Sequence, residues 1–417
     1  MKSKVIGIAK RYKGEANYAV SNVVTAVVSM LSGLVAAAFI APEDLGVIQA
    51  LLLIQTYAVF LNFGVFSGLN RNLAYYKAKG DVETMQKEID TSHSVAVVVA
   101  VIGALISLCI IIYHILAGSP SVYIWGGFLL LITLVLSPLT THIECTFRSG
   151  QEFGRFGLIK NVQGAVYAIV SLLPIVLGYI GRVLANSLNQ VFGYLLRLKY
   201  IPYKHKGTGD WRSLKDLISA GLPIMINGYI MSVFQAADRT YIAANMSSYD
   251  MGLYTIAGYC TSMIYIIPAA VGTMLYPKAT ARYGETGERR ALIPLWKKSM
   301  ILYLGVLLPI MLIAYFAMPP LVEMFMPKYI DGIMAGKIAI ITSITLVSNG
   351  PSVIFGTLKK NAVYIVVVGI CLGLFWLIVT IWPEVFKSIE SVAILRGILT
   401  LLLSIFTIVY SYLLIRK

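Results

Sequence analysis

The sequence is poor in charged residues. Asp, Glu, Lys and Arg make up only 13% of its 417 residues, whereas 58% are hydrophobic. Soluble domains carry about 25% charged residues, so this composition excludes a water-soluble globular protein. Long apolar runs replace the missing charge, and roughly 20 apolar residues are enough to cross a bilayer. The composition therefore predicts an integral membrane protein.

Cysteine and histidine are also scarce. Each type occurs four times, and the cysteines lie singly in apolar segments without a CxxC spacing. Metal and redox sites normally combine several such residues at short spacings. We therefore expect no metal site, no cofactor and no catalytic residues, which indicates a protein that is not an enzyme.

Twelve stretches of the chain are apolar and long enough to be transmembrane helices. They are about 17–40, 46–70, 93–117, 122–147, 158–179, 182–201, 217–244, 251–277, 298–318, 331–357, 362–382 and 391–415. The segments between them are short, and no soluble domain remains. We predict an all-α integral membrane protein with twelve transmembrane helices.

Lys and Arg are distributed unevenly along the chain. Of the 34, 28 lie in alternate segments on one side of the predicted membrane, namely 1–16, 71–92, 148–160, 197–216, 278–298, 358–361 and 416–417. The positive-inside rule places that side in the cytoplasm. Both termini are then cytoplasmic, and the net charge of +15 encodes topology. It does not indicate a nucleic-acid partner.

The chain contains a weak internal repeat. Residues 39–83 align with 245–288 at an offset of 206, so that Asp44 and Gly46 fall on Asp250 and Gly252. We expect each Asp to cap the helix that follows and each Gly to allow close packing.

The repeat predicts two pseudo-symmetric lobes of six helices each. They comprise residues 1–200 and 217–417, joined by a polar cytoplasmic linker at 201–216. Because six is an even number, the lobes enter the membrane in the same orientation.

Two charges lie inside predicted span seven. Asp238 and Arg239 are adjacent, and a helix turns about 100° per residue, so they point in different directions and are not simply each other's partner. Three further bases, Arg182, Lys337 and Arg396, lie toward the outer side. For these three, the membrane interface and a polar cavity are both reasonable positions.

Polar amides accompany these charges within the spans. They are Gln55 and Asn62, Asn161 and Gln163, Asn186 and Asn189, Asn227 and Gln235, and Asn349. Each alone is typical of helix packing. Together with the four bases they predict a polar interior path of positive charge, suited to an anionic cargo rich in hydroxyl groups.

Two stretches carry a family resemblance. They are "FSGLNRNLAYYKAKGDVE" after span two and "DRTYIAANMSSYDMGLYTIA" across spans seven and eight. With the six-plus-six organisation, they resemble the polysaccharide-unit flippases of O-antigen type, a branch of the MOP exporter superfamily.

The resemblance implies a MATE-like pair of lobes around a cavity. It also implies that undecaprenyl-diphosphate-linked oligosaccharide is moved by alternating access from the inner to the outer leaflet of a bacterial cytoplasmic membrane, beside polysaccharide polymerase machinery. Arg239, Lys337, Arg396 and Arg182 would then attract the diphosphate, and the amides would contact sugar hydroxyls. Asp238 would orient Arg239 or titrate.

The first span departs from the related multidrug exporters, which carry an acidic residue there. This span has Asn22 and no carboxylate, so cation coupling of that kind is in doubt. If a proton or sodium gradient drives transport, the candidates are Asp238 and Glu144, the two carboxylates within the predicted spans.

Three other functions are alternatives. A multidrug exporter of the same fold predicts acidic cavity walls, and few buried carboxylates are present. A major-facilitator transporter predicts a Gly-x-x-x-Asp-Arg pattern after span two, which "RNLAYYKAKGDVETMQKE" lacks. A membrane polymerase or ligase that acts on lipid-linked sugars predicts a large external loop, whereas the external loops are short.

Overall fold

The computed structural model describes residues 2–416, with the backbone alone for 2–13, 15, 16, 267, 269–271, 273, 274 and 277. Within this range the chain forms fourteen α-helices and no strand. They are α1 (Lys2–Phe39), α2 (Pro42–Ala58), α3 (Val65–Lys79), α4 (Val82–Leu116), α5 (Ser121–Ser149), α6 (Phe153–Val170), α7 (Pro174–Lys199), α8 (Trp211–Asn245), α9 (Ser248–Thr286), α10 (Ile293–Phe325), α11 (Ile333–Thr342), α12 (Asn349–Thr357), α13 (Asn361–Ile381) and α14 (Ile389–Arg416).

Each of the twelve predicted spans coincides with a helix or with consecutive helical segments. Nine helical segments within the described range are long and apolar enough to cross a membrane. The predicted all-helical membrane fold is therefore confirmed.

The second predicted span is broken. Helix α2 ends in a 3-10 turn, Val59–Asn62, and α3 begins only after Phe63 and Gly64, whose φ angles are 45° and 82°. The side chain of Asn62 stabilises the break, because its Oδ1 accepts a hydrogen bond from the Gly64 N–H at 2.9 Å and its Nδ2 donates to the Val59 carbonyl. The amide thus replaces helical bonds that the backbone loses there.

Helix α4 starts eleven residues earlier than the predicted span at 93, because a polar cap and not the apolar run determines its first turn. The Asp81 side chain accepts a hydrogen bond from the Thr84 N–H at 3.0 Å. Glu88 and Asp90 therefore lie within this helix and are buried. They precede the predicted span at 93, so the interpretation of Asp238 and Glu144 as the carboxylates within the spans stays a prediction.

The chain divides into two compact units. Unit 1 comprises Met1–Ile40 and Leu51–Tyr229, and unit 2 comprises Ala41–Ala50 and Ile230–Lys417. Residues 41–50 thus belong to the unit that contains the second half of the chain. The sequence-based lobes at 1–200 and 217–417 stay a prediction.

The linker at 201–216 is attached to α4 within unit 1. The Lys206 N–H donates to Asp90 Oδ1 at 2.8 Å, the Asp210 N–H donates to Thr91 Oγ1 at 3.1 Å, and the His205 ring stacks on His93 at 3.7 Å between centroids. Hydrogen bonds from the hydroxyl and the N–H of Ser213 lower the pKa of Asp210. The linker is therefore packed against α4.

The repeated glycines lie in unit 2, where the first turns of α2 and α9 meet. A Cβ on Gly46 would lie 1.8 Å from the Ser248 carbonyl oxygen, and one on Gly252 would lie 1.9 Å from that of Pro42. Close packing at both glycines is confirmed. Asp250 forms a capping box with Ser247, as predicted, while Asp44 lies in the first turn of α2.

Candidate functional site

Asp238 is buried in unit 2 and is the centre of a small polar cluster. Its Oδ2 accepts a hydrogen bond from the Tyr254 hydroxyl at 2.7 Å and lies 4.0 Å from Arg396 Nε. Its Oδ1 accepts a hydrogen bond from the Arg239 backbone N–H at 2.8 Å. Asp238 and the Arg239 guanidinium are not paired, as predicted. The expectation that Asp238 orients the Arg239 side chain is wrong, because its ionic partner is Arg396 on α14.

Arg396 lies between the carboxylate and an aromatic ring. Its guanidinium carbon is 4.2 Å from the centroid of the Phe234 ring, and it donates a hydrogen bond to the Thr400 hydroxyl. Its Nε is buried and has no hydrogen-bond partner in the described part of the chain. The pair is therefore electrically balanced but incompletely hydrogen-bonded.

Arg239 and Lys337 are the two remaining predicted cations of unit 2. Arg239 is exposed and Lys337 is half-buried, with its Nζ 5.2 Å from the Tyr315 ring centroid. Neither forms an ion pair with a residue that the structure describes. The structure brings Arg396 to Asp238, whereas no described residue is a counter-ion of these two cations.

In unit 1, Arg182 begins a chain of hydrogen bonds. Its Nη1 donates to Ser32 Oγ at 2.7 Å, that hydroxyl donates to Tyr167 OH at 2.8 Å, and Tyr167 OH donates to Asn186 Oδ1 at 2.8 Å. The predicted stripe of Arg182 and Asn186 on α7 is therefore one connected network. Arg182 thus has hydrogen-bond partners within unit 1. A side chain that only reached the membrane interface would not need them.

A second network lies toward the C-terminal end of α7. Gln163 on α6 donates from Nε2 to Asn189 Oδ1 at 3.1 Å, and its Oε1 accepts a hydrogen bond from Arg197 Nη1 at 2.8 Å. Arg197 Nε donates to Glu144 Oε1 at 3.1 Å. We call the set of these side chains along the two helices the α6–α7 polar seam. It consists of Gln163, Tyr167, Arg182, Asn186, Asn189 and Arg197.

The structure refines two sequence-based assignments along the seam. Arg197, which the sequence analysis places both at the end of predicted span six and in the basic segment 197–216, lies in α7 and is only 5% exposed. Glu144, a candidate for ion coupling, is the counter-ion of Arg197 and so is not an isolated carboxylate.

Four predicted amides have separate positions. Gln55 and Asn62 line one pocket of unit 1, together with Phe66, Ser137, Pro138 and Thr141. Asn227 is half-buried in unit 1, and Gln235 is exposed in unit 2. Neither of the last two hydrogen-bonds another described residue, so their role in substrate binding stays a prediction.

Sequence reasoning missed the uncharged partners. Tyr254, Phe234 and Ser32 carry no signal of their own, because aromatic and hydroxyl residues are common in membrane helices. Tyr167 could have been found, since Lys160, Gln163 and Tyr167 recur at helical spacing on one face of α6.

A family model described as "Polysaccharide biosynthesis protein" matches residues 18–330. The chain belongs to this family. The match covers both units in large part and confirms the resemblance stated from the sequence motifs. No curated protein matches the chain.

Solved structures of MOP-superfamily transporters share the fold. The chain is similar to an inward-facing multidrug resistance MATE family transporter, with 13% identity, 94% of each chain covered and a TM-score of 0.73. It is similar to an outward-facing transporter of the same description, with 16% identity, 97% of this chain and 96% of the other covered, and a TM-score of 0.62.

A third similar structure comes from Pyrococcus furiosus. It has 14% identity, 97% and 96% coverage and a TM-score of 0.67, and it is described as a MOP-superfamily transporter in which reverse polarity of the binding pocket suggests a different function. At these identities the likeness shows the fold, and this family member has the MATE-type transporter fold.

Proposed function

We propose that the chain is a flippase that translocates undecaprenyl-diphosphate-linked oligosaccharide repeat units from the inner to the outer leaflet by alternating access. The family description supports a role in polysaccharide biosynthesis, and the fold is that of membrane transporters. A transporter that serves polysaccharide synthesis must carry the lipid-linked intermediates of that synthesis. This function requires no catalytic residue and no bound cofactor.

The balance of charge among the candidate site residues is the observation that carries the proposal. The carboxylates of Glu144 and Asp238 lie beside Arg197 and Arg396. Arg182, Arg239 and Lys337 have no carboxylate partner among the described residues. A diphosphate cannot enter hydrocarbon without compensation of its charge, and unpaired cations within a membrane protein supply that compensation.

The proposed orientation follows the positive-inside rule. The protein is a multi-pass component of a bacterial inner membrane with both termini in the cytoplasm, where lipid-linked repeat units are assembled. Its partners are membrane lipids, the lipid-linked cargo and polysaccharide polymerase machinery on the far side.

Arg239 provides the first test. We expect Arg239→Ala to reduce surface polysaccharide about tenfold in a flippase-null strain, because a charge-assisted contact to phosphate is removed. Arg212→Ala is the matched control, since Arg212 is also an exposed arginine of α8. Lipid-linked repeat units should accumulate on the cytoplasmic face. Full complementation by a normally folded Arg239→Ala protein would contradict the role of Arg239.

A multidrug exporter is the second candidate, because two similar structures are described as multidrug resistance transporters. The reversed pocket polarity described for the Pyrococcus furiosus structure supports different cargoes on this fold. Deletion of the gene distinguishes the candidates: a flippase deletion accumulates lipid-linked sugars, whereas an exporter deletion increases sensitivity to cationic drugs.

Energy coupling is a separate question. Asp238 is the candidate carboxylate, since Tyr254 and Arg396 contact its Oδ2 and Glu144 is closely bound to Arg197. If a proton or sodium gradient drives transport through Asp238, then transport into vesicles should stop when the gradient is dissipated. Transport by the Asp238→Asn variant should not change when the gradient is dissipated.

A further inference from the structure

Basic side chains from three helices of unit 1 gather near the Arg197 end of the polar seam. Lys160 on α6 donates a hydrogen bond from Nζ to Asn22 Oδ1 at 2.8 Å, and its Nζ lies 5.3 Å and 5.1 Å from the ring centroids of Tyr18 and Phe156. Arg148 on α5 and Arg197 on α7 complete the group. The Phe156 ring lies 5.9 Å from the Arg197 guanidinium carbon, and it stacks at 5.3 Å between centroids on the ring of Phe147, the residue before Arg148.

The charges of this group do not balance. Glu144 is its carboxylate, and Glu144 is already bound to Arg197 at 3.1 Å. Lys160 and Arg148 form no ion pair with any residue in the described part of the chain. The polar partner of Lys160, Asn22, is neutral. Among the described residues, the group therefore has two more positive than negative charges.

Arg148 also has an unused donor. Its Nε is buried and has no hydrogen-bond partner among the described residues, and its Nη2 contacts only the Cys145 sulfur, at 3.6 Å. A buried N–H group without an acceptor is unfavourable. An anion that reached this guanidinium would remove that cost. The group is accessible, since Asn22 is exposed and Lys160 and Arg148 are half-buried.

We infer that Lys160 and Arg148 form a phosphate-binding site for a lipid anion in unit 1. The planar guanidinium matches phosphate oxygens, and the ammonium acts as a point charge. The aromatic rings of Tyr18 and Phe156 support the ammonium without neutralising it. Asn22 provides an amide beside the site.

The ligand is the lipid diphosphate of the cargo, and this part of the inference rests on the proposed function. The segment 148–160 lies on the side that the distribution of Lys and Arg assigns to the cytoplasm. A lipid-linked intermediate is made on that side. The site would therefore hold the diphosphate before translocation.

The inference is tested by equilibrium binding to the purified full-length protein in neutral detergent, measured by native mass spectrometry. The probes are undecaprenyl diphosphate, phosphatidylglycerol and inorganic pyrophosphate. We expect Lys160→Gln combined with Arg148→Gln to weaken undecaprenyl diphosphate binding about tenfold or more. Arg155→Gln is the matched control, because Arg155 is an exposed cation on the same helix as Lys160, and we expect a change of less than about twofold.

A second variant removes the ambiguity of misfolding. Asn22→Asp keeps the acceptor for Lys160 and provides it with a counter-ion, so the fold should be retained while binding falls about tenfold. Wild-type binding by both variants would overturn the site. If phosphatidylglycerol bound as tightly as undecaprenyl diphosphate does and lost its binding in the same variants, that result would overturn the assignment of the site to the lipid diphosphate of the cargo. Pyrophosphate binding far weaker than that of the polyprenyl lipid supports a lipid ligand.

Failure of this site and failure of the proposed function give different results. If the site is wrong, the double variant still binds normally while deletion of the gene still accumulates lipid-linked repeat units. If the function is wrong, deletion accumulates none, whatever the variants bind.

Discussion

In the described part of the chain, each unit contains one ion pair of low exposure within its apolar helices, and the two pairs differ in geometry. In unit 1, Arg197 and Glu144 are 3.1 Å apart, with side chains 6% and 22% exposed, and Gln163 and the Gly193 carbonyl accept further hydrogen bonds from the guanidinium. In unit 2, Arg396 and Asp238 are 4.0 Å apart, and Arg396 Nε has no acceptor among the described residues.

The difference indicates different roles. A buried pair offsets its desolvation only when geometry is good and the remaining donors are satisfied. The pair of unit 1 meets both conditions and holds α5, α6 and α7 together. The pair of unit 2 meets neither, and Asp238 is instead bound closely by the Tyr254 hydroxyl. A change of partners at Asp238 and Arg396 during a transport cycle therefore costs less free energy than a change at Glu144 and Arg197.

The largest expected effect comes from breaking the pair of unit 1. Arg197→Met should lower the free energy of unfolding by about 3 kcal/mol, because Glu144 loses the cation to which it is hydrogen-bonded, with Lys160 and Arg148 nearby but not paired with it. The same change at Arg396 should cost about half as much, since its pair is longer. Unfolding in mixed detergent micelles measures both. Equal losses would show that the two pairs are alike, and Arg197→Met with Glu144→Gln should recover much of the stability.

The next effect concerns backbone packing in unit 2. Gly252→Ala should lower the free energy of unfolding by about 2–3 kcal/mol, because the new Cβ collides with the Pro42 carbonyl. Gly258→Ala on the same helix is the control, since a Cβ there meets nothing within 4 Å. If Gly252→Ala leaves the free energy of unfolding unchanged, the contact between Gly252 and Pro42 does not stabilise unit 2.

The smallest expected effects come from removing the hydroxyl group of one of two buried tyrosines. Tyr254→Phe removes a hydrogen bond to the carboxylate Asp238, and Tyr167→Phe removes one to the neutral Asn186. Bonds to charged groups contribute more, so we expect losses of about 1.5 and about 1 kcal/mol respectively. The same unfolding assay applies. A larger loss at Tyr167 would indicate that its shared network with Ser32, Arg182 and Asn186 matters more than the charge of Asp238.

Some features of the site could be predicted from the sequence because they depend on local spacing. Arg182 and Asn186 share a face of α7 at four residues' separation, and the structure joins them through Tyr167. Asp238 and Arg239 diverge because adjacent helical residues point apart. The partner of Asp238 could not be predicted, since Arg396 is far away in the chain and only packing brings it near.

The all-helical membrane fold, the positions of most helices and close packing at Gly46 and Gly252 could be predicted from the sequence alone. These follow from hydropathy, helical period and the need for backbone to approach backbone. Only the tertiary structure decided which charges are neutralised: Arg197 by Glu144, Asp238 by Arg396, and Lys160 and Arg148 by no described residue. The physical reason is that ion pairing depends on distances of a few ångström between separate helices, and composition contains no information about those distances.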